Sequence, residues 1–340
     1  MIRVGICGAG HIVPNHCQAI WRTADIAVTA ISSRTKASAA KMARQYRIPR
    51  VYEDHRQLIE SPEVDVVLVA GPNYQHYPLT LQAIAAGKHV FVEKPLALNV
   101  AEAQEMVAAA KQAGVQLLYA EQLPLAPKFV RLAEMAQQGA FGQIYMARQL
   151  ERHAGPYSPW FFNQDTAGGG ALMDLGCHSI AVLREIFNKE KVQKVSAVSR
   201  TLVHTESEVE DFMIVQLFFT GGAIGVVECN WCHPGGMDSI TEIFGTAGNG
   251  YADLMKGSGL QVYSEKGYKS RGGTLHGWRR PMFDEVYECG YQAQIEALAN
   301  TLLHGEPPAQ SGEDGLEILK IMSAAYQSAE QNGKLLPIKK

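Results

Sequence analysis

No run in this chain reaches the roughly 18 consecutive apolar residues that a membrane-spanning helix requires, so its 340 residues read as those of a water-soluble protein with no membrane partner. Neither sign of charge dominates. Lysine and arginine number 31 against 34 aspartates and glutamates, a formal net charge of -3, and the broad basic field that collects phosphates along a nucleic acid is missing. Cysteine is sparse as well. Cys7, Cys17, Cys177, Cys229, Cys232 and Cys289 are too few in a chain of this length for a disulfide framework. Cys229 and Cys232 have the spacing of a redox or zinc pair, but no second pair accompanies them. Strand residues three apart also point to opposite faces, so no metal is expected there. A signal-peptide pattern is absent too, because Ile2–Cys7 runs at once into Gly8-Ala9-Gly10 like a core strand. A reduced, cytoplasmic protein is the consistent expectation.

What is present is a long alternation. The length suits two domains. Over residues 2–119 the apolar runs Ile2–Cys7, Ile26–Ile31, Val64–Ala70, Lys88–Val92 and Val115–Tyr119 alternate with amphipathic stretches. These include Lys36–Tyr46, Pro78–Ala86 and Val100–Ala113. Runs this apolar imply parallel strands covered on both faces, hence a doubly wound α/β sheet. Gly87 and Gly114 fall where helix C-caps belong.

Gly8-Ala9-Gly10-His11-Ile12-Val13 closes the first strand and opens a helix. Gly8 and Gly10 permit a tight turn and close approach to a pyrophosphate, which the helix N-terminus then stabilises. His11 and Ile12 belong to the same turn. Val13 takes the place of the fingerprint's third glycine, whose role is helix–strand packing. At the end of the second strand an NAD site normally carries an acidic residue for the ribose hydroxyls. Here the sequence is Ser32-Ser33-Arg34. Ser33 and Arg34, with Lys36 nearby, suit a 2′-phosphate, which leans the cofactor toward NADP tolerance. Alternatively Ser33 only caps the next helix and Arg34 lies in solvent.

Two further clusters carry chemistry: Glu93-Lys94-Pro95, and Gly168-Gly169-Gly170 running on to Asp174 and Cys177-His178. With Gly71-Pro72-Asn73-Tyr74-Gln75-His76, Glu242–Gly248 and Ser311–Gly315, they make the chain resemble the glucose-fructose oxidoreductase / inositol dehydrogenase / MocA (Gfo/Idh/MocA) family over essentially its whole length. The resemblance implies an N-terminal Rossmann domain, residues 1–122. A substrate-binding and oligomerisation domain, 123–340, would follow, with a large, mostly antiparallel open sheet whose exposed face often builds dimers or tetramers. The residues agree: 192–203, 209–220, 223–231 and 240–244 alternate like strands. The segments 179–187, 291–304 and 313–332 read as helices.

The resemblance further implies that Pro72, Asn73, His76, Glu93 and Lys94 line an NAD or NADP site, and that Lys94 also contacts the substrate oxygen. Lys94 lies just past a strand, at the edge where open α/β sheets bind ligands. A lysine of lowered pKa there exchanges a proton with a carbonyl or hydroxyl. Pro95 holds it extended and can be cis. Asp174 and His178, four apart, share a helix face. Asp174 would fix the imidazole tautomer while His178 moves the hydroxyl proton. The alternative is a helix cap beside a satisfied buried histidine.

Two departures from the family pattern bear on the substrate. Ala181 stands where an inositol-type member usually carries Asp, and Tyr119-Ala120-Glu121-Gln122 replaces an Asn-Arg or Arg-Arg pair. Glu121 is thus a candidate hydroxyl acceptor or a plain interdomain hydrogen-bond partner. The 151–162 loop offers Arg152, His153 and Tyr157 as polar contacts, and Trp160 with Phe161 and Phe162 as a sugar-stacking surface or as core. Trp231, His233 and Trp278-Arg279-Arg280 are weaker candidates, and the glycine-rich 257–273 stretch reads as a lid or plain surface.

The leading expectation is an NAD(P)-dependent oxidoreductase that moves hydride at a carbinol or carbonyl carbon of a sugar, glycoside or polyol. The alternative is a redox-neutral NAD-dependent glycosidase that oxidises, eliminates, adds water and reduces again, with Glu121, His153 or Tyr157 as the additional base. A non-catalytic nucleotide or sugar binder would not need both Lys94 and the Asp174/His178 pair.

Overall fold

In the computed structural model residues 1–255, 260–270, 273–279 and 288–339 are described. The chain divides into two compact units: residues 1–121, 165–168 and 291–319, and residues 122–164, 169–290 and 320–340. A single cut at 122 therefore differs from the observed division. Two later segments return to the first unit, because the helix Tyr291–His304 buries Ile295, Leu298 and Ala299 in its core.

The first unit's sheet has six strands: β1 (Ile2–Cys7), β2 (Ile26–Ser32), β3 (Arg50–Tyr52), β4 (Val66–Val69), β5 (His89–Glu93) and β6 (Leu117–Ala120). They lie in the order β3-β2-β1-β4-β5-β6, all pairs parallel. Every residue of β4 is buried, as a strand covered on both faces requires. The order reverses between β1 and β4, and such a reversal opens a crevice at the carboxyl edge. Registers Cys7↔Ser32, Cys7↔Val69, Val69↔Val92 and Glu93↔Ala120 put Gly8–Ile12, Ser33-Arg34, Gly71–Asn73, Lys94 and Glu121 along that one edge. β3 was not legible in the sequence: three residues are too short to show a period.

The second unit holds nine strands: β7 (Ile144–Arg152), β8 (Val192–Arg200), β9 (Phe212–Phe219), β10 (Ile224–Asn230), β11 (Asp238–Gly245), β12 (Gly248–Asp253), β13 (Leu260–Ser270), β14 (Gly273–Arg279) and β15 (Leu336–Pro337). Their order is β14-β13-β12-β11-β7-β10-β9-β8-β15, antiparallel except for the β7–β10 pair. The family-based expectation of a large, mostly antiparallel sheet is met. β7 lies at its middle, so the start of the presumed substrate loop, Glu151-Arg152, is strand. Of the 257–273 stretch, Leu260–Ser270 is β13; 257–259 and 271–272 lie outside the described residues, as does Arg280.

Helix Cys177–Ile186 packs on β7 and β10. A π-helical turn, Leu172–Gly176, precedes it. Such turns are rare and cluster at functional sites. No helix among the described residues is long and apolar enough to cross a membrane.

Candidate active site

The first unit presents a nucleotide cradle made of main chain. Gly8 has φ +136°, and a Cβ there would stand 2.3 Å from the Ala70 carbonyl oxygen. Only glycine closes that turn against the loop after β4. A Cβ on Gly10 would meet nothing nearer than 3.9 Å, so this position is open toward a ligand. The helix Val13–Arg22 starts at Ile12 without a side-chain cap and without an acidic residue in its first turn. Pro14 carries no N–H, and the amides of Val13, Asn15 and His16 bond back to Gly10 and Ile12. An anion therefore meets the positive end of the helix dipole and the residues of the turn before it. His11 is exposed in that turn. Val13 has no exposed surface; it fills the packing position that glycine otherwise holds. The cradle fits a dinucleotide.

At the end of β2 the helix cap is Thr35, whose Oγ1 accepts from Ser38 N. Ser33 instead accepts from Ser38 Oγ at 3.1 Å. Arg34 is exposed. The Lys36 ammonium pairs with Glu53 at 2.6 Å, which neutralises the second cation of the cluster.

After β4 and β5 the candidates interlock. Pro72 opens the turn Asn73–Gln75. Asn73 is buried, and its Nδ2 donates to Ala167 O at 2.9 Å. His76 has no exposed atom; its ring nitrogens face Pro95 O at 2.8 Å and Gly71 O at 3.1 Å. It thus ties two loops together from beneath and offers a cofactor no surface of its own. Burial outweighs those carbonyls and lowers its pKa. Glu93 is buried against His16, Nε2 to Oε1 2.5 Å, and its Oε2 accepts from Lys94 N at 3.1 Å. Burial alone would raise its pKa. The bond to His16 and the charges of His16, Lys94 and His76 more than offset that, leaving it low. Glu93 is therefore an ionised anchor for the Lys94 backbone. The Lys94–Pro95 peptide is cis, and Lys94 itself is half-buried.

In the second unit the glycine run is shaped by Glu210, which the sequence did not single out. Its carboxylate accepts from Gly170 N at 3.0 Å, Leu172 N at 2.9 Å and Tyr326 Oη at 2.9 Å, while its carbonyl accepts from Ala171 N at 3.0 Å. A Cβ on Gly170 would lie 1.7 Å from that carbonyl oxygen. This clamp starts the π turn that carries Asp174. Asp174 and His178 are both buried, at 8% and 5% exposure. Oδ2 of Asp174 accepts from Trp231 Nε1 at 3.0 Å and faces His153 Nε2 at 3.4 Å. Trp231, at the end of β10, has no exposed surface.

The remaining substrate candidates separate. Arg152 donates through Nε and Nη2 to Asp238 Oδ2 at 3.0 and 2.8 Å, and His233 approaches the same oxygen at 3.4 Å. Tyr157 is 88% exposed. Trp160 stacks on Phe161 at 3.7 Å between ring centres, and both are half-buried. Phe162 packs against His204 and Trp231. Glu121 is fully buried. Trp278 lies on β14 beside Tyr263, 5.7 Å between ring centres. Of the two cysteines with metal-like spacing, Cys229 is pushed well up by burial and then by the nearby carboxylates. Cys232 is pushed up to about 11 by burial and Asp211.

Sequence reasoning missed Glu210, Asp211, Asp238 and His16. Glu210, Asp238 and His16 act through contacts far away in the chain, and no local spacing announces any of the four. Asp211, adjacent to Glu210, accepts from the amides of Leu202, Val203 and His204 at 2.7–2.8 Å and so fixes the loop that carries His204.

Comparison with known proteins agrees with this geometry. Residues 2–121 match the oxidoreductase family with an NAD-binding Rossmann fold, and residues 129–250 match the GFO/IDH/MocA C-terminal domain. The chain is 30% identical to myo-inositol 2-dehydrogenase of Thermotoga maritima, with 97% of each chain covered. It is 27% identical to D-glucoside 3-dehydrogenase of Escherichia coli K12, covering 97% of this chain and 95% of the relative. The structure of GenD2 from gentamicin A biosynthesis, in complex with NAD, superposes with a TM-score of 0.88 at 31% identity, covering 100% of this chain and 97% of that one. With a glycine cradle, a lysine at the sheet's carboxyl edge and matches along both units, the chain belongs to the GFO/IDH/MocA family of NAD(P)-binding oxidoreductases.

Proposed function

We propose that this protein is a sugar or glycoside dehydrogenase that oxidises a ring carbinol. The observation that carries the reading is Lys94, placed directly after β5 on the same carboxyl edge as the Gly8–Ile12 turn. NAD(P), when bound, supplies the hydride acceptor. Lys94 binds the reacting oxygen and helps to take its proton, while His178 exchanges that proton and Asp174 orients the ring. Support for a carbohydrate comes from the relatives, which include a glucoside 3-dehydrogenase and an inositol 2-dehydrogenase. Ala181, buried at 2% exposure, puts a methyl where the inositol pattern expects a carboxylate, and this favours a glycoside over inositol. Tyr157 and Trp160 then offer surface to the sugar's apolar face.

NAD serves as cofactor and NADP is tolerated through Arg34 alone, since Lys36 is paired with Glu53. The six free cysteines suit a reducing cytoplasm. One face of the nine-stranded sheet exposes Val198 and its register partner Ile214, at 44% and 36%; we assign that face to a second copy of the chain, which light scattering of the purified protein tests.

The functional test is a panel of free sugars, polyols and aryl glycosides, following nicotinamide absorbance and aglycone release together. One reduced cofactor per substrate without aglycone release supports the dehydrogenase. Repeated aglycone release without net reduced cofactor would replace it with a redox-neutral glycosidase.

A further inference from the structure

Asp174 is held from behind. Two side-chain nitrogens lie against its Oδ2: the Trp231 indole donates to it at 3.0 Å and His153 Nε2 stands at 3.4 Å. The tautomer of His153 follows from its other nitrogen. An amide N–H can only donate, and Gly155 N lies 2.9 Å from His153 Nδ1, so Nδ1 carries a lone pair. The neutral ring must then carry its proton on Nε2, toward Asp174. Both nitrogens are thereby engaged within the protein.

The loop that sets this tautomer is itself fixed. His153 N donates to Asn230 O at 3.2 Å, and His233 N donates to His153 O at 3.1 Å. His204 Nε2 lies 3.2 Å from both Ala154 O and Trp231 O. Gly155 has φ +113° and a Cβ there would come within 2.7 Å of that imidazole, so glycine is the residue that fits where the amide reads His153. Trp231 is fixed from the other side, where its N donates to Asp211 O at 2.7 Å. The indole, the imidazole and the loop between them form one frame around a single carboxylate oxygen.

Taking the role of Asp174 from the function proposed above, we propose that His153 and Trp231 are positioning residues that clamp Asp174 Oδ2 and aim Oδ1 at the proton-transfer partner. His153 is then no substrate ligand. Protonating His153 would cost it the Gly155 N–H bond, so it does not serve as the reaction's acid.

Two kinds of experiment test this. In kinetics, Trp231→Phe keeps the ring and removes the donor, and His153→Leu removes the other. Each should lower kcat about tenfold with KM within about twofold, the scale of one hydrogen bond to a charged group. His153→Gln, whose amide donates from the Nε2 position, should recover most of that loss. A rise in KM at unchanged kcat for His153→Leu would return the residue to the substrate and overturn the clamp. So would a glutamine variant as slow as the leucine one.

The second experiment needs no substrate. Imidazole nitrogen NMR of the whole wild-type protein at neutral pH should show His153 protonated at Nε2 and bare at Nδ1; the opposite tautomer or a doubly protonated ring would overturn the proposal. If no sugar turns over while that tautomer is observed, the function fails and the clamp stands.

Discussion

The two units prepare for chemistry by different means. In the first, the cradle is main chain, the Gly8–Ile12 turn and the loop after β4, with the Lys94 side chain after β5 on the same edge, all set there by parallel register. Side chains such as His16, Glu93 and His76 work from beneath, buried and out of a ligand's reach. In the second unit the Asp174 carboxylate is set by other side chains and loops. Glu210, Trp231 and His153 come from separate stretches of chain and meet at the 169–178 segment. A parallel sheet yields a site from topology, whereas an antiparallel one must assemble it contact by contact.

That difference predicts how separable chemistry is from framework. Lys94→Ala should give the largest effect on turnover, a loss of about 10³-fold. Melting temperature and cofactor affinity, read by nicotinamide fluorescence, should change little. Retained activity in that variant would remove the mechanism. An equal loss of fold would break the contrast between the units.

In the second unit framework and chemistry should fail together. Gly170→Ala drives a methyl into the Glu210 carbonyl, 1.7 Å away, at an expected cost of about 3 kcal/mol. Melting temperature and kcat should drop in the same variant. The matching substitution in the first unit is Gly10→Ala, with nothing inside 3.9 Å. Thermal stability should survive there while cofactor affinity falls. A Gly170→Ala protein of unchanged melting temperature would show the Glu210 clamp to be dispensable.

The same contrast explains what the sequence disclosed. The alternation over 2–119 located five of the six parallel strands, and helices Lys36–Tyr46 and Val100–Ala113 begin and end where the pattern puts them. Their signals are local: apolar period, capping residue, terminal glycine. Ser311 and Asp314 satisfy each other across the start of the last long helix, a signature visible in four residues. Lys94, Asp174 and His178 were legible as motif members. The partners that hold them were not, since the contacts Trp231–Asp174 and His16–Glu93 span 57 and 77 residues. The return of Tyr291–His304 to the first unit was equally hidden, because an amphipathic helix does not say which core it covers.

Glu93 sharpens the comparison through pH. Its pKa in the folded protein lies below the ordinary value of 4.5, so the unfolded chain binds the proton first. Its stabilisation is complete above about pH 4.5 and is lost as the pH falls through the lower folded value. Glu93→Gln removes the charge that faces His16 and leaves one acceptor oxygen where His16 and Lys94 N used two, and should cost about 2 kcal/mol at neutral pH. The gap to wild type in thermal melts should narrow under acid. A gap that stays constant down to low pH would mean that Glu93 is not an ionised anchor.

The smallest effect concerns Arg34, the one place where the first unit's site depends on an exposed side chain. Thr35 caps the helix and Glu53 holds Lys36, so Arg34 alone is left to meet a 2′-phosphate. A single exposed cation contributes about 1 kcal/mol, and salt screens it. Arg34→Ala should therefore reduce kcat/KM for NADP about fivefold and leave NAD almost untouched, with the difference fading as ionic strength rises. An equal effect on both cofactors would place Arg34 against the adenine or the pyrophosphate instead. No effect on either would leave β2's end as pure framework, and the first unit's site would then be main chain throughout except for Lys94.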